Sequence, residues 1–175
     1  PDDEFNLLDG RKKMITKMPI RLCTLSALDL ANRKSLWDVG FCTGSVSIEA
    51  KLQFPHIRIN AFEIREEGKE LMRLNTQKFG VPGIETHIGD FMAIDLNTIE
   101  RPDAVFIGGH GGQLKEMVAR IKSVLLPGGI VVFNSVSTDS QQQFKEGATA
   151  SGLNWQEWHT ITTDEHNPIT ILRAE

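Results

Sequence analysis

The segment Asp38-Val39-Gly40-Phe41-Cys42-Thr43-Gly44 ends a short apolar run in a glycine-punctuated turn. Glycine accepts the backbone angles of a sharp turn and lets main chain approach a ligand closely. Glu63 follows 19 positions after Gly44. An acid at about that spacing accepts hydrogen bonds from a ribose diol. Gly89-Asp90-Phe91 comes next, with Asp90 suited to an exocyclic amine and Phe91 to a ring face. In this order the turn, the acid and the Asp-Phe pair describe a site for an adenosine-containing ligand. Its candidate contacts are Gly40, Phe41, Cys42, Thr43, Gly44, Glu63, Asp90 and Phe91. The plainer alternative is that the glycines only close a tight turn and that Glu63 is a solvated helix cap.

A second group of residues suits a polyanionic partner. Arg11, Lys12, Lys13, Lys17 and Arg21 cluster with no acid after Asp9. Such a cluster would steer an anion toward the site. A solvated helix start explains it equally, although cations at a helix N-terminus oppose its dipole. A phosphate backbone would also suit it. His110 stands among four glycines in Gly108-Gly109-His110-Gly111-Gly112. Gly108 and Gly109 permit close approach to a flat ring, and His110 is expected to hydrogen-bond a carboxylate or relay a proton near neutral pH. The alternative for His110 is an ordinary surface-loop histidine. His56, His87, His159 and His166 have no metal-like spacing, so no metal is expected. Cys42 has no evident activating neighbour, so nucleophilic work is not expected of it.

The elements that position these residues follow from the apolar pattern. Strands are expected at 35–39, 57–64, 84–88, 103–107 and 130–135, each bounded by turn residues. Helices are expected at 44–54, 66–79, from Leu114 to Leu125 and at 140–150. Strands alternating with helices predict a parallel sheet with right-handed crossovers. Trp155–Thr162 and Ile169–Arg173 read as two closing strands with no helix between them, an antiparallel edge. A further helix is expected from Thr16 to Leu30, with Thr16 as its cap and Pro19 in its first turn, where proline is tolerated. In such a sheet the ligand binds at the carboxyl ends of the strands, near the switch in strand order.

The totals bound the remaining classes. A chain of 175 residues suits one domain with its own core. A net charge of −4 disfavours a general nucleic-acid binder. Two cysteines make no disulfide framework, and no run of 18 apolar residues offers a membrane span. A cytoplasmic location is expected. The expected organisation is a lead and helix over 1–34, a cofactor-binding core over 35–135, and a last helix and hairpin over 136–175. A start at Pro1 rather than Met is expected of a piece of a longer chain.

The closing hairpin and the single short core resemble a class I S-adenosylmethionine-dependent methyltransferase rather than a dinucleotide dehydrogenase. The segments "PDDEF", "ITKMPIR", "WDVGFCTGSVSIE" and "PDAVFIGGHGG" resemble, more narrowly, the C-terminal domains of the decarboxylating precorrin-6Y C5,15-methyltransferases of cobalamin biosynthesis. That resemblance implies a Rossmann-like, mostly parallel seven-stranded sheet with helices on both faces. It implies methylation of a precorrin macrocycle at C15 with loss of CO2 from the C12 acetate. It implies S-adenosylmethionine as cofactor, a fused or associated C5-methyltransferase domain, and self-association, often as a tetramer. It adds Thr16 to the cofactor contacts, and makes Lys12, Lys13, Lys17, Arg21, Gly108 and Gly109 contacts for a carboxylate-rich tetrapyrrole. The chain departs from the family at Cys42, where glycine is usual. Three alternatives remain at this point. One is a methyltransferase for RNA or another small molecule, and the second is a non-catalytic assembly module with the same fold. The third is a nicotinamide-binding protein.

Overall fold

The computed structural model describes residues 1–9, 14–163 and 167–175. Five strands run parallel: β1 (Ser35–Val39), β2 (Arg58–Glu63), β3 (Ile84–Ile88), β4 (Ala104–Ile107) and β5 (Ile130–Ser135). β6 (Trp155–Ile161) and β7 (Ile169–Ala174) complete a seven-stranded sheet of order β3-β2-β1-β4-β5-β7-β6. β7 lies antiparallel to both β5 and β6. The order reverses between β1 and β4, which opens a crevice at their carboxyl ends.

Alternation along the strands assigns the two faces. Trp37, Val39, Val105, Ile107, Val131 and Phe133 point to one face. There they pack against α4 (Leu114–Val124) and α5 (Thr138–Ala150). Leu36, Ile59, Phe106 and Val132 point to the other face. That face carries α1 (Met18–Leu28), α2 (Ser45–Gln53) and α3 (Glu67–Phe79). Both faces of β1 and β4 are covered, so their sequences are near-continuous apolar runs. Asp38 is the one charged residue within them.

Two helix starts differ from the sequence expectation. α1 begins at Met18, not Thr16. Lys17 occupies its N-cap without a side-chain bond, and the Thr16 carbonyl instead accepts from Arg21 Nη1 at 2.7 Å. α5 begins at Thr138 because the Ser137 hydroxyl accepts from Ser140 N at 3.1 Å.

Arg21 itself corrects the expected basic cluster. It is fully buried and its guanidinium pairs with Asp2 and Glu49 above the Phe5 ring. The buried arginine ties the N-terminal segment to α1 and α2 and presents no charge of its own to solvent. Lys12 and Lys13 lie outside the described residues. Among the described residues no helix is long and apolar enough to cross a membrane, and no group of side chains could hold a metal ion.

Candidate active site

Two backbone turns meet at the switch point. Gly40 follows β1 with φ +76°, and a Cβ there would stand 2.6 Å from the nitrogen of Gly109. Gly108 donates from its N–H to the Val39 carbonyl at 2.8 Å, and a Cβ on it would meet the Gly40 carbonyl. Only glycines let these turns touch main chain to main chain. Gly44 (φ +74°) sits behind the turn against the Met72 thioether.

Cys42 holds a left-handed conformation, φ +52°, uncommon for a residue with a side chain. Its N–H donates to Glu63 Oε2 at 2.9 Å, and its thiol donates to the Met14 carbonyl at 3.2 Å. Cys42 therefore joins the turn to both the β2 acid and the N-terminal segment. Glu63 is buried, and its other oxygen accepts from Arg65. Gly89 N donates to the Glu63 carbonyl at 2.9 Å, which brings the ends of β2 and β3 together.

Two cavities open at this place. The smaller, about 290 Å³, is lined by Glu63, Asp90, Phe91, Gly109 and His110 among others. The larger, about 590 Å³, is lined by Thr16, Lys17, Phe41, Thr43, Ser45 and Asn134 among others. Met14, Gly40, Cys42 and Gly108 line both, so the cavities adjoin across the turn and the cysteine.

The expected adenosine contacts thus divide between the two cavities. Asp90 is exposed and accepts from Met92 N at 2.9 Å. Phe91 is mostly core, edge-on to Phe62 at 5.1 Å, with only part of its surface toward the smaller cavity. His110 lines the smaller cavity, its ring edge-on to Phe133 at 5.7 Å, and Lys17 lines the larger. The Nδ1 of His110 accepts from Gly112 N at 3.2 Å, which leaves the proton on Nε2. Burial lowers its pKa, so the ring is neutral at pH 7 and offers one N–H.

Two buried polar residues near the turn carry roles not expected from sequence. Asp38, next to last in β1, is fully buried and its Oδ2 accepts from Ser47 Oγ at 2.6 Å, while its Oδ1 has no partner. Burial pushes its carboxyl up to about 7. A lone acid inside "SLWDV" was the available signal. Asn75 is also fully buried. It donates to the Thr43 carbonyl at 2.9 Å and to the Asn6 carbonyl at 3.0 Å, and accepts from Asn6 N at 2.7 Å. It fastens the N-terminal segment to the turn after β1, and its Asn6 partner lies 69 positions away in sequence, a separation that no local pattern reveals.

A family profile described as "precorrin methyltransferase domain" matches residues 8–172. A precorrin-6Y C(5,15)-methyltransferase (decarboxylating) of a Sinorhizobium species is 38% identical over 80% of this chain and 33% of its own. A cobalt-precorrin-6B C(15)-methyltransferase (decarboxylating) of Salmonella typhimurium is 36% identical over 74% of this chain and 66% of its own. The chain therefore spans one third of the first relative's length and just under two thirds of the second's. The crystal structure of precorrin-6Y C5,15-methyltransferase from Geobacter metallireducens superposes with a TM-score of 0.86 at 32% identity. That superposition covers 99% of this chain and 95% of that one. The fold is that of the class I methyltransferases, and the chain belongs to the precorrin methyltransferase domain family.

Proposed function

We propose that this domain binds S-adenosylmethionine and methylates a precorrin macrocycle at C15, with loss of CO2 from the C12 acetate side chain. One observation carries the proposal: two adjoining cavities share the wall formed by Gly40, Cys42 and Gly108. A nucleoside fits the smaller and a larger partner fits the larger, with their reacting ends meeting at the shared wall.

The residues present suit the cofactor. A Cβ at Gly40 would strike Gly109, so the backbone floor is kept bare for close approach. The buried Glu63 carboxylate lines the smaller cavity where a ribose diol would lie. When bound, the cofactor supplies a methyl group already activated by its sulfonium charge. The chain then has mainly to align the ring carbon with that methyl, and alignment supplies much of the rate. The apolar wall of Ile20, Val46, Phe106 and Val136 excludes water from a flat macrocycle. His110, neutral and fixed through Nδ1, holds its Nε2 proton at the β4 end.

Titration calorimetry with S-adenosylhomocysteine, with NAD in parallel, tests the cofactor half of the reading. Micromolar binding of the first and none of the second is expected. Binding of neither by the folded chain would overturn it. The full reading includes a C5-methyltransferase partner, fused or associated, and the length of the Sinorhizobium relative supports it. It also includes residues 1–175 as a single unit of that longer enzyme, a cytoplasmic location and self-association, with a tetramer as the expected state. Sedimentation of the purified chain tests the tetramer.

A further inference from the structure

The two cavities differ in charge. Two acids, Glu63 and Asp90, and one cation, Arg65, line the smaller one. Among the described residues, no aspartate or glutamate lines the larger one, while Lys17 does. Lys17 is half-buried at the N-cap of α1, where a cation works against the helix dipole, and no carboxylate pairs with it among the described residues.

Two neutral donors share that cavity. Ser45 is the first residue of α2 and is 2% exposed. Its hydroxyl has no hydrogen-bond partner among the described residues, and the first turn of α2 contains no acid. Asn134, the penultimate residue of β5, is half-buried. Its Nδ2 donates to Thr24 Oγ1 at 2.9 Å, while the Thr24 hydroxyl proton goes to the Ile20 carbonyl at 2.8 Å. The reverse contact, Thr24 Oγ1 to Asn134 Oδ1, is longer at 3.3 Å. The amide is thereby oriented, and one N–H remains for the cavity.

We propose that Lys17, Ser45 and Asn134 form a carboxylate subsite in the larger cavity that grips one carboxylate arm of the substrate. An ammonium, an unpaired hydroxyl at a helix N-terminus and a fixed amide are together the donors that a carboxylate accepts from. The identity of the substrate rests on the function proposed above, whereas the subsite itself rests only on these residues. The other carboxylate available here is the amino-acid end of the cofactor, and the two sources are separable.

The probe is uroporphyrin, a flat tetrapyrrole with carboxylate arms, followed by fluorescence, with its fully esterified form as control. Asn134→Asp is nearly isosteric but sets like charge against the arm, and Asn134→Leu only removes the donor. Both are expected to weaken uroporphyrin binding, Asn134→Asp the more, by about tenfold or greater. Ser45→Ala and Lys17→Met should weaken it less. Binding of the ester should not separate Asn134→Asp from Asn134→Leu, and affinity for S-adenosylhomocysteine should stay unchanged in all four. Unchanged uroporphyrin binding in both Asn134 variants would overturn the proposal. So would a parallel loss of S-adenosylhomocysteine affinity, which would assign the subsite to the cofactor. A wild-type chain that binds uroporphyrin yet turns over no precorrin would sink the functional reading and leave the subsite standing.

Discussion

Ser47 Oγ donates to Asp38 Oδ2 at 2.6 Å, and the second oxygen of that fully buried carboxyl has no partner. Burial raises the group from its ordinary 3.8 to about 7, so the folded chain holds this proton more tightly than the unfolded chain. The stability it contributes is complete below the unfolded value and is lost as pH rises through the folded one. Asp38→Asn can keep the Ser47 bond without a charge. Its melting temperature should vary less with pH between about 3.8 and 7 than the wild type's. An unchanged pH slope would show that Asp38 is not the group responsible.

Gly40→Ala places a Cβ against Gly109 N in a left-handed backbone. A loss of about 1–3 kcal/mol is expected from the forced shift, together with loss of S-adenosylhomocysteine binding. Gly128→Ala has nearly the same φ, +73°, but open space around its Cβ. It should lower the melting temperature modestly and leave binding intact. Equal effects on binding would remove the close approach as the reason for glycine at position 40.

Glu63→Gln keeps an acceptor for Cys42 N but removes the charge beside Arg65. Cofactor affinity measured by calorimetry should fall about tenfold if the carboxylate accepts from a ribose diol. Undiminished affinity would reduce Glu63 to a brace for the turn.

Cys42→Gly relieves the left-handed strain at φ +52° and deletes the thiol contact with Met14. Glycine's extra unfolded-state freedom offsets the relief, so stability should change by no more than about 1 kcal/mol. Methyl transfer should survive. Its loss, with cofactor binding retained, would give the thiol a chemical role that the present account lacks.

Asn75→Leu leaves the Thr43 carbonyl and the Asn6 backbone without their buried partner. A cost of about 3 kcal/mol is expected from these unsatisfied groups. The N-terminal segment should become the first site of proteolysis. A melting temperature like the wild type's would mean that the segment is held elsewhere.

The five parallel strands were legible because each has a turn residue close to one end: Gly40 after β1, Pro55 before β2, Gly89 after β3, Gly108 after β4 and Gly129 before β5. The switch point followed from their alternation with helices. Expected and observed strand ends agree to within a residue or so, as at Ile84–Ile88 and Ile130–Ser135. What sequence could not supply was pairing across distance. Arg21 looked like one more cation of a basic cluster, yet its partners Asp2 and Glu49 lie 19 and 28 positions away. Asp2, in the N-terminal segment, is an anchor for that arginine. His110 was placed correctly at the β4 end, but a motif cannot tell which of two adjoining cavities it faces. Asn134 carried no signal at all, because its role depends on Thr24, which stands 110 positions earlier.

The proposed reaction methylates a precorrin and removes one carboxyl. Mass spectrometry of a precorrin-6Y-type substrate, incubated with the chain and S-adenosylmethionine bearing a labelled methyl, reads both events at once. The expected product has gained one labelled methyl and lost one CO2. Unchanged tetrapyrrole, from a chain that binds S-adenosylhomocysteine and uroporphyrin, would contradict it.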